Sequence, residues 1–263
     1  MGGLPLPLPP AIERELRARR WRQIGAGMSK ADVFRFEGGL YLKTVRRDAR
    51  DPCFGGLDAE RAKLEWLGRH ISVPTVVAFT KDETRDYLVM SEIPGRDAAA
   101  DMPAASALPA AVKVLAAACR EFHAIPTADD CPFVERANDL VLQARQRLDD
   151  GLVDVADFDA EREGRDPEEL FQELAGLRPT SEDLVVTHGD FCLPNVILRD
   201  GQCSGFIDVG RASVADRWRD LSLCMHSIAS TWGPQWSALF LHHYGLPLDE
   251  RRREFFQLLD EFF

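Results

Sequence analysis

The chain has 263 residues, 45% of them hydrophobic, and a formal net charge of −11. That composition supports a buried core and excludes a disordered chain, while the acidic balance excludes a nucleic-acid partner, whose phosphates demand a basic surface. No uninterrupted apolar run is long enough for a membrane span, and Cys53, Cys119, Cys131, Cys192, Cys203 and Cys224 form no CxxC pair, so reduced thiols in a cytoplasm are expected rather than disulfides or zinc.

In chain order, the opening MGGLPLPLPP lacks a basic stretch and is broken by prolines, so it does not read as a signal peptide. Leu6 also breaks the myristoylation pattern. Residues 11–22 predict a short charged helix. Gly25-x-Gly27 and Ser29 then open a β-hairpin whose turn is Gly38-Gly39, with LYLKTV as its second strand. There is no GxxxxGK[ST], so this is not a P-loop. Lys43 lies inside that apolar strand and must either snorkel out or meet an anion. In the next helix, GLDAERAKLEWLGRH, Leu57, Leu64 and Leu67 mark one face and Glu60 falls on the same stripe, costly unless it is paired. Lys43 and Glu60 are each other's natural partners, as an ordinary buried ion pair or as part of a site. VPTVVAFT and DYLVMSEIPG supply two more strands. An Ala-rich helix over 98–124 follows, placing a lobe boundary between 1–93 and 94–263.

The charge is unevenly spread. Residues 1–93 carry 16 Lys and Arg against 13 Asp and Glu, leaving −14 for the remainder. Residues 149–173 alone hold 11 acids against Arg162 and Arg165. A mildly basic first part suits an anionic ligand, and a concentrated acidic segment suits a cationic one or is simply a solvated face. The stretch VVTHGDFCLPNVILRDGQCSGFIDVGR (185–211) reads as strand, loop and short hairpin, turning at Asp200-Gly201. Asp190, Asn195 and Asp208 fall at its loop or strand ends, and three oxygen-bearing side chains there suggest a hard cation such as Mg²⁺. The chain closes on DERRREFFQLLDEFF, predicted as an amphipathic helix to the last residue.

Gly loop, strand Lys43, helix Glu60, His188-x-Asp190-x₄-Asn195 and Asp208 after a strand resemble, in order, the parts of a protein-kinase-like phosphotransferase. In that scheme Lys43 holds the α- and β-phosphates of ATP and Glu60 holds Lys43. Asn195 and Asp208 bind Mg²⁺, and Asp190 takes the proton of the acceptor hydroxyl. His188 fixes the loop. A nucleotide-binding pseudokinase would have lost one of Lys43, Asp190, Asn195 or Asp208, and all are present.

VVTHGDFCLPNVILRDGQCSGFIDVGRASVADRWRDLSL, with LLDEFF at the end, is similar to the aminoglycoside 3′-phosphotransferases, bacterial antibiotic-resistance kinases. The likeness runs from YLK through ERAKLEWL and LVMSEIPG to Phe263. It implies an α+β, bilobal protein-kinase-like fold, with a small β-rich N-terminal lobe and a larger, mostly helical C-terminal lobe. It also implies ATP between the lobes, with Met90, Ser91 and Ile93 at the hinge, Tyr41 against the adenine and Ser29 over the phosphates. The implied substrate is a polycationic aminoglycoside held by Asp157, Asp159, Glu161, Asp190, Arg211, Asp260, Glu261 and the carboxylate of Phe263. The resemblance further implies a cytoplasmic monomer or weak dimer. Two features depart from it: Ala160 replaces a frequent acid, and His226, Ser227, Ser230 and Thr231 stand where relatives place Arg, Asp and Glu. They predict a narrowed or altered aminoglycoside range, and keep open a kinase of another small alcohol, such as another antibiotic or a choline-like amino alcohol.

Overall fold

The structure, a computed structural model, describes residues 6–24, 31–49, 55–100, 104, 106–126 and 131–263. The Gly25-x-Gly27 loop and Ser29 lie outside the described residues. The chain divides into two compact units, Met1–Pro94 with Ser204–Arg211, and Gly95–Cys203 with Ala212–Phe263.

The first unit runs α1 (Pro10–Leu16), β1 (Trp21–Ile24), β2 (Asp32–Phe36), β3 (Leu40–Arg46), α2 (Gly56–Leu67), β4 (Val76–Lys81) and β5 (Arg85–Ser91). The strands form one antiparallel sheet in the order β1-β2-β3-β5-β4. Its β2–β3 turn uses Gly38 and Gly39 at φ 87° and 70°. A Cβ on Gly38 would lie 2.1 Å from the Arg19 guanidinium, which donates to the Glu37 carbonyl at 2.8 Å. The positive φ is what favours glycine there, since the flexible end of Arg19 could move aside.

Strand side chains alternate between faces. Phe34, Phe36, Leu42, Tyr87 and Val89 therefore share a face and bury Ile12 and Leu16 of α1 against it. Each such burial is worth about 1.5–3 kcal/mol, and together they fix the register. Lys43, next to Leu42, must then face the other way, toward α2.

The second unit comprises β6 (Arg96–Asp97), α3 (Leu108–His123), α4 (Ala137–Asp149), α5 (Pro167–Leu177), β7 (Leu184–Thr187), β8 (Val196–Arg199), the first residues of β9 (Gln202–Phe206), β10 (Ser213–Asp216), α6 (Trp218–Trp232), α7 (Gln235–Tyr244) and α8 (Glu250–Asp260). Here α3 packs on α7, α6 on α7 and α8, and α5 on α4 and α8. Phe122, Phe191, Phe240, Phe255, Phe256 and Phe262 are fully buried. β7 pairs antiparallel with β10, and β6 with β8. The expected turn after β8 is present, with Asp200 and Gly201 at φ 52° and 74°. The fold class is α+β, as expected.

Three element boundaries differ from the sequence reading. The helix predicted over 11–22 stops at Leu16, because the charged run that follows offers no apolar side to bury. Arg17 turns extended, Ala18 adopts φ 62°, and Trp21 joins the sheet edge-on against Phe34. The Ala-rich helix begins at Leu108, one residue before Pro109. Ala98–Ala100 instead form a turn in which the Asp97 carboxylate accepts the Ala100 N–H at 2.7 Å. The last helix ends at Asp260, and Glu261 and Phe262 form a turn with Phe262 fully buried.

Candidate active site

In the first unit, β3 presents Lys43 and α2 presents Glu60, both buried. The Lys43 ammonium donates to Glu60 Oε2 at 2.9 Å and to Asp208 Oδ1 at 2.8 Å. Burial opposes the charge on Lys43, but Asp208 and then Glu60 outweigh it and hold its pKa above the ordinary lysine value. Burial raises the pKa of Glu60 against the pull of Lys43. The Asp208 side chain remains 47% exposed, and its backbone sits at φ 58°, a left-handed conformation rare outside glycine, asparagine and aspartate. Lys63, one helical turn after Glu60, donates to the Gly210 carbonyl at 2.7 Å. Arg211 closes the 3₁₀ turn Val209–Arg211 in this unit.

At the end of the sheet, Tyr41 pairs across strands with Met90. Ser91 accepts the Thr75 N–H on its hydroxyl at 2.9 Å and donates its own N–H to the Thr75 carbonyl at 2.9 Å. Ile93 lies against Gly205. Arg35, opposite Tyr41, forms a two-pronged pair with Glu92 at 3.0 and 3.1 Å. Thus Tyr41 on β3 and Met90 and Ser91 at the end of β5 lie on adjacent strands, with Ile93 two residues beyond them, and Lys43, Glu60 and Asp208 form one ion cluster.

In the second unit, the loop between β7 and β8 carries Asp190 and Asn195. The Asn195 amide donates to the backbone oxygen of Asp190 at 3.0 Å and to its Oδ2 at 2.8 Å. His188 Nδ1 accepts the Asp190 N–H at 3.3 Å. Burial and then the Asp190 charge push the Cys192 thiol far above its ordinary pKa, which keeps it unreactive. Beneath the loop is a residue that sequence reasoning missed. Asp220 is fully buried and accepts the N–H groups of His188 and Gly189 at 2.7 and 2.8 Å. His123 Nε2 lies 3.0 Å from the same carboxylate, and its Nδ1 is 2.8 Å from the Tyr244 hydroxyl, which accepts from Arg217 at 2.9 Å. Burial opposes the charge of Asp220, but His123 and the loop outweigh it and hold its pKa below the aspartate range. The available signals were His123 ending the apolar face of α3 and Asp220 within RDLSL, two misplaced polar residues like Lys43 and Glu60.

The acidic segment is organised by a second missed residue, Arg162, which is 5% exposed. It donates to Glu261 at 2.9 Å and Glu254 at 2.7 Å and approaches Asp159 at 3.5 Å. Glu261 also accepts the Asp159 N–H at 3.1 Å, and burial pushes its carboxyl up to about 7. Of the predicted acids, Asp159, Glu261 and their Arg162 are therefore joined, while Asp157, Glu161 and Asp260 are exposed. Arg147 reaches the backbone oxygens of Phe262 and Phe263 and stacks on the Phe263 ring at 5.4 Å. His226 pairs with Asp159 at 3.3 Å. Ser227 accepts the Leu193 N–H at 3.0 Å, and Ser230 donates to the Ser227 carbonyl at 3.1 Å. Ala160 and Thr231 are exposed.

The donor chemistry fits a hard cation. In the second unit Asn195 commits its amide nitrogen to Asp190, and in the first unit Asp208 is a half-exposed carboxylate; each carries side-chain oxygen, the donor type such a cation prefers. Among the described residues no cluster of three His, Cys, Asp or Glu forms an all-protein metal cage. No helix of the described residues is long and apolar enough to cross a membrane.

Residues 20–256 match the family model described as the phosphotransferase enzyme family, APH. An aminoglycoside 3′-phosphotransferase of Streptomyces fradiae is 39% identical, with 96% of this chain and 98% of that protein covered. The crystal structure of an aminoglycoside 3′-phosphotransferase of type VIII superposes with a TM-score of 0.84 at 38% identity, covering 96% of this chain and 97% of that one. The aminoglycoside phosphotransferase APH(3″)-Id of Streptomyces rimosus, in complex with ADP and streptomycin, superposes with a TM-score of 0.83 at 30% identity, covering 96% of each chain. With its ion cluster, its Asp190–Asn195 loop and this likeness over nearly its full length, the chain belongs to the APH phosphotransferase enzyme family.

Proposed function

We propose that this enzyme transfers the γ-phosphoryl group of ATP to the 3′-hydroxyl of aminoglycoside antibiotics and so confers resistance in the bacterial cytoplasm. The observation that carries the reading is the Asp190 carboxylate, clamped by Asn195 and supported from below by Asp220. A carboxylate held in one orientation can accept the proton of an incoming hydroxyl and aim its oxygen at phosphorus. Lys43 would hold the α- and β-phosphates, with Glu60 keeping its ammonium in place. Tyr41, Met90, Ser91 and Ile93 would receive the adenine, and Ser29 would lie over the phosphates. Asn195 and Asp208 would hold Mg²⁺, which bridges phosphate oxygens and offsets their developing charge.

The polycation would meet Asp157, Asp159, Glu161, Asp260 and the Phe263 carboxylate. Glu261 would contribute from its place on Arg162, and Arg211 would fix a substrate hydroxyl. Residues 1–93 would then be the nucleotide-binding lobe and 94–263 the catalytic and aminoglycoside-binding lobe, in a monomer or weak dimer. The 39% and 38% identity to two of the 3′ enzymes, against 30% to the 3″ enzyme, supports the 3′ position.

A kinase of another small alcohol is favoured by one observation, the His226–Asp159 pair, which occupies one of the acids meant for the antibiotic. ADP release in Mg-ATP separates the two readings. Turnover on 3′-hydroxy aminoglycosides but not on a 3′-deoxy compound, with choline inert, supports the first. Turnover on choline alone overturns it.

A further inference from the structure

We propose that Lys63 is a positioning residue that holds the turn bearing Asp208 for metal–nucleotide binding. The proposal rests on the reading of Asp208 as a Mg²⁺ ligand. Lys63 is 9% exposed, on an apolar helix face where an ammonium is costly unless it is satisfied. Its Nζ donates to the carbonyl of Gly210 at 2.7 Å, within the 3₁₀ turn Val209–Arg211 that immediately follows Asp208. Glu60, three residues earlier on the same face of α2, lies against Gly210 and reaches Asp208 through Lys43.

α2 therefore grips the Asp208 turn at two points. Through Glu60 and Lys43 it holds the side chain of Asp208, and through Lys63 it holds the backbone two residues on. The first grip has to yield when phosphates claim Lys43. The second does not, because Gly210 is a backbone acceptor that no ligand replaces. Asp208, at φ 58°, opens that turn, so an anchor two residues on holds the backbone that aims its carboxylate.

The test is Mn²⁺ binding, measured by electron paramagnetic resonance with a non-hydrolysable ATP analogue, for wild type, Lys63→Met and Lys63→Arg. Loss of a group that orients a ligand typically weakens metal affinity by about 10–100-fold. Lys63→Met should lose affinity at the lower end of that range, with nucleotide binding in EDTA and the KM for acceptor unchanged. Lys63→Arg, which can still donate to Gly210, should restore it. Wild-type Mn²⁺ affinity in a folded Lys63→Met overturns the proposal, as does an equal loss of nucleotide binding in EDTA. If Lys63→Met does not fold, Lys63→Gln takes its place under the same outcomes. Absence of Mn²⁺–nucleotide binding in wild type would instead overturn the Mg²⁺ role of Asp208, and this inference with it.

Discussion

Asn195 binds Asp190 twice, through its backbone oxygen and through Oδ2, and so fixes the carboxylate relative to the loop that carries it. The Cys192 thiol also bonds this carboxylate, so Asp190 is held from two sides in the orientation that the proposed proton transfer requires. Asp190→Asn keeps the shape but removes the base. It should lower kcat by about 10²–10⁴-fold while ATP affinity, measured by calorimetry, stays at the wild-type value. Near-normal turnover would remove Asp190 from proton transfer.

The Lys43 cluster predicts an asymmetric response. Removing one partner of a buried pair costs about 3–5 kcal/mol when the other charge is stranded. Here Asp208 would still serve Lys43 in Glu60→Ala, so the loss should be nearer the cost of one unsatisfied buried donor, about 1–3 kcal/mol. Urea unfolding measures it, and KM for ATP should rise in the same variant because Lys43 is no longer tied to α2. Full stability with unchanged KM would mean that Asp208 alone suffices.

Glu261 predicts a pH dependence of stability. Its folded pKa is raised from an ordinary 4.5 to about 7, so between those values the folded protein keeps a proton that the unfolded chain releases. That contribution is complete below the unfolded pKa and is lost as pH rises through the folded one. Glu261→Gln lacks the titration, so its Tm should gain on wild type between about pH 5 and about pH 8. A constant difference across that range would show that Arg162 and the Asp159 N–H hold Glu261 as a carboxylate throughout.

His226 bears on substrate range. Its side chain and that of Asp159 are 42% and 37% exposed, and pairs so open to water contribute about 0–1 kcal/mol. His226→Ala should therefore lower KM for a cationic acceptor by no more than about fivefold, by freeing Asp159. A rise in KM would mean that His226 itself touches the acceptor.

The sequence made legible whatever a local pattern betrays. Lys43 and Glu60 stood out as opposite charges on neighbouring apolar faces, and they are bonded. The spacing from Asp190 to Asn195 marked one loop, and the two are bonded. Asp200-Gly201 and Gly38-Gly39 were read as turns from backbone preference alone. Support that arrives from far along the chain was not legible. Asp220 meets His123 across 97 positions and His188 across 32. Arg162 was read only as one of two cations in an acidic run, yet it is buried and paired with carboxylates of α8 and the turn beyond it. The end of α1 was misplaced for a related reason. Arginines have good helix propensity, but propensity yields when no apolar side remains to pack.

The ammonium of Lys43 acts as a resident counter-ion. With Asp208 already neutralised at 2.8 Å, a bare divalent ion from solution must compete with a cation that is tethered and always present. An ion that arrives with phosphates brings its own replacement anion for Lys43 and meets no such competition. Under the proposed metal role, the cluster would thus discriminate by cargo, favouring a metal that brings negative charge with it, while one ammonium serves two carboxylates, Glu60 and Asp208, that still repel each other.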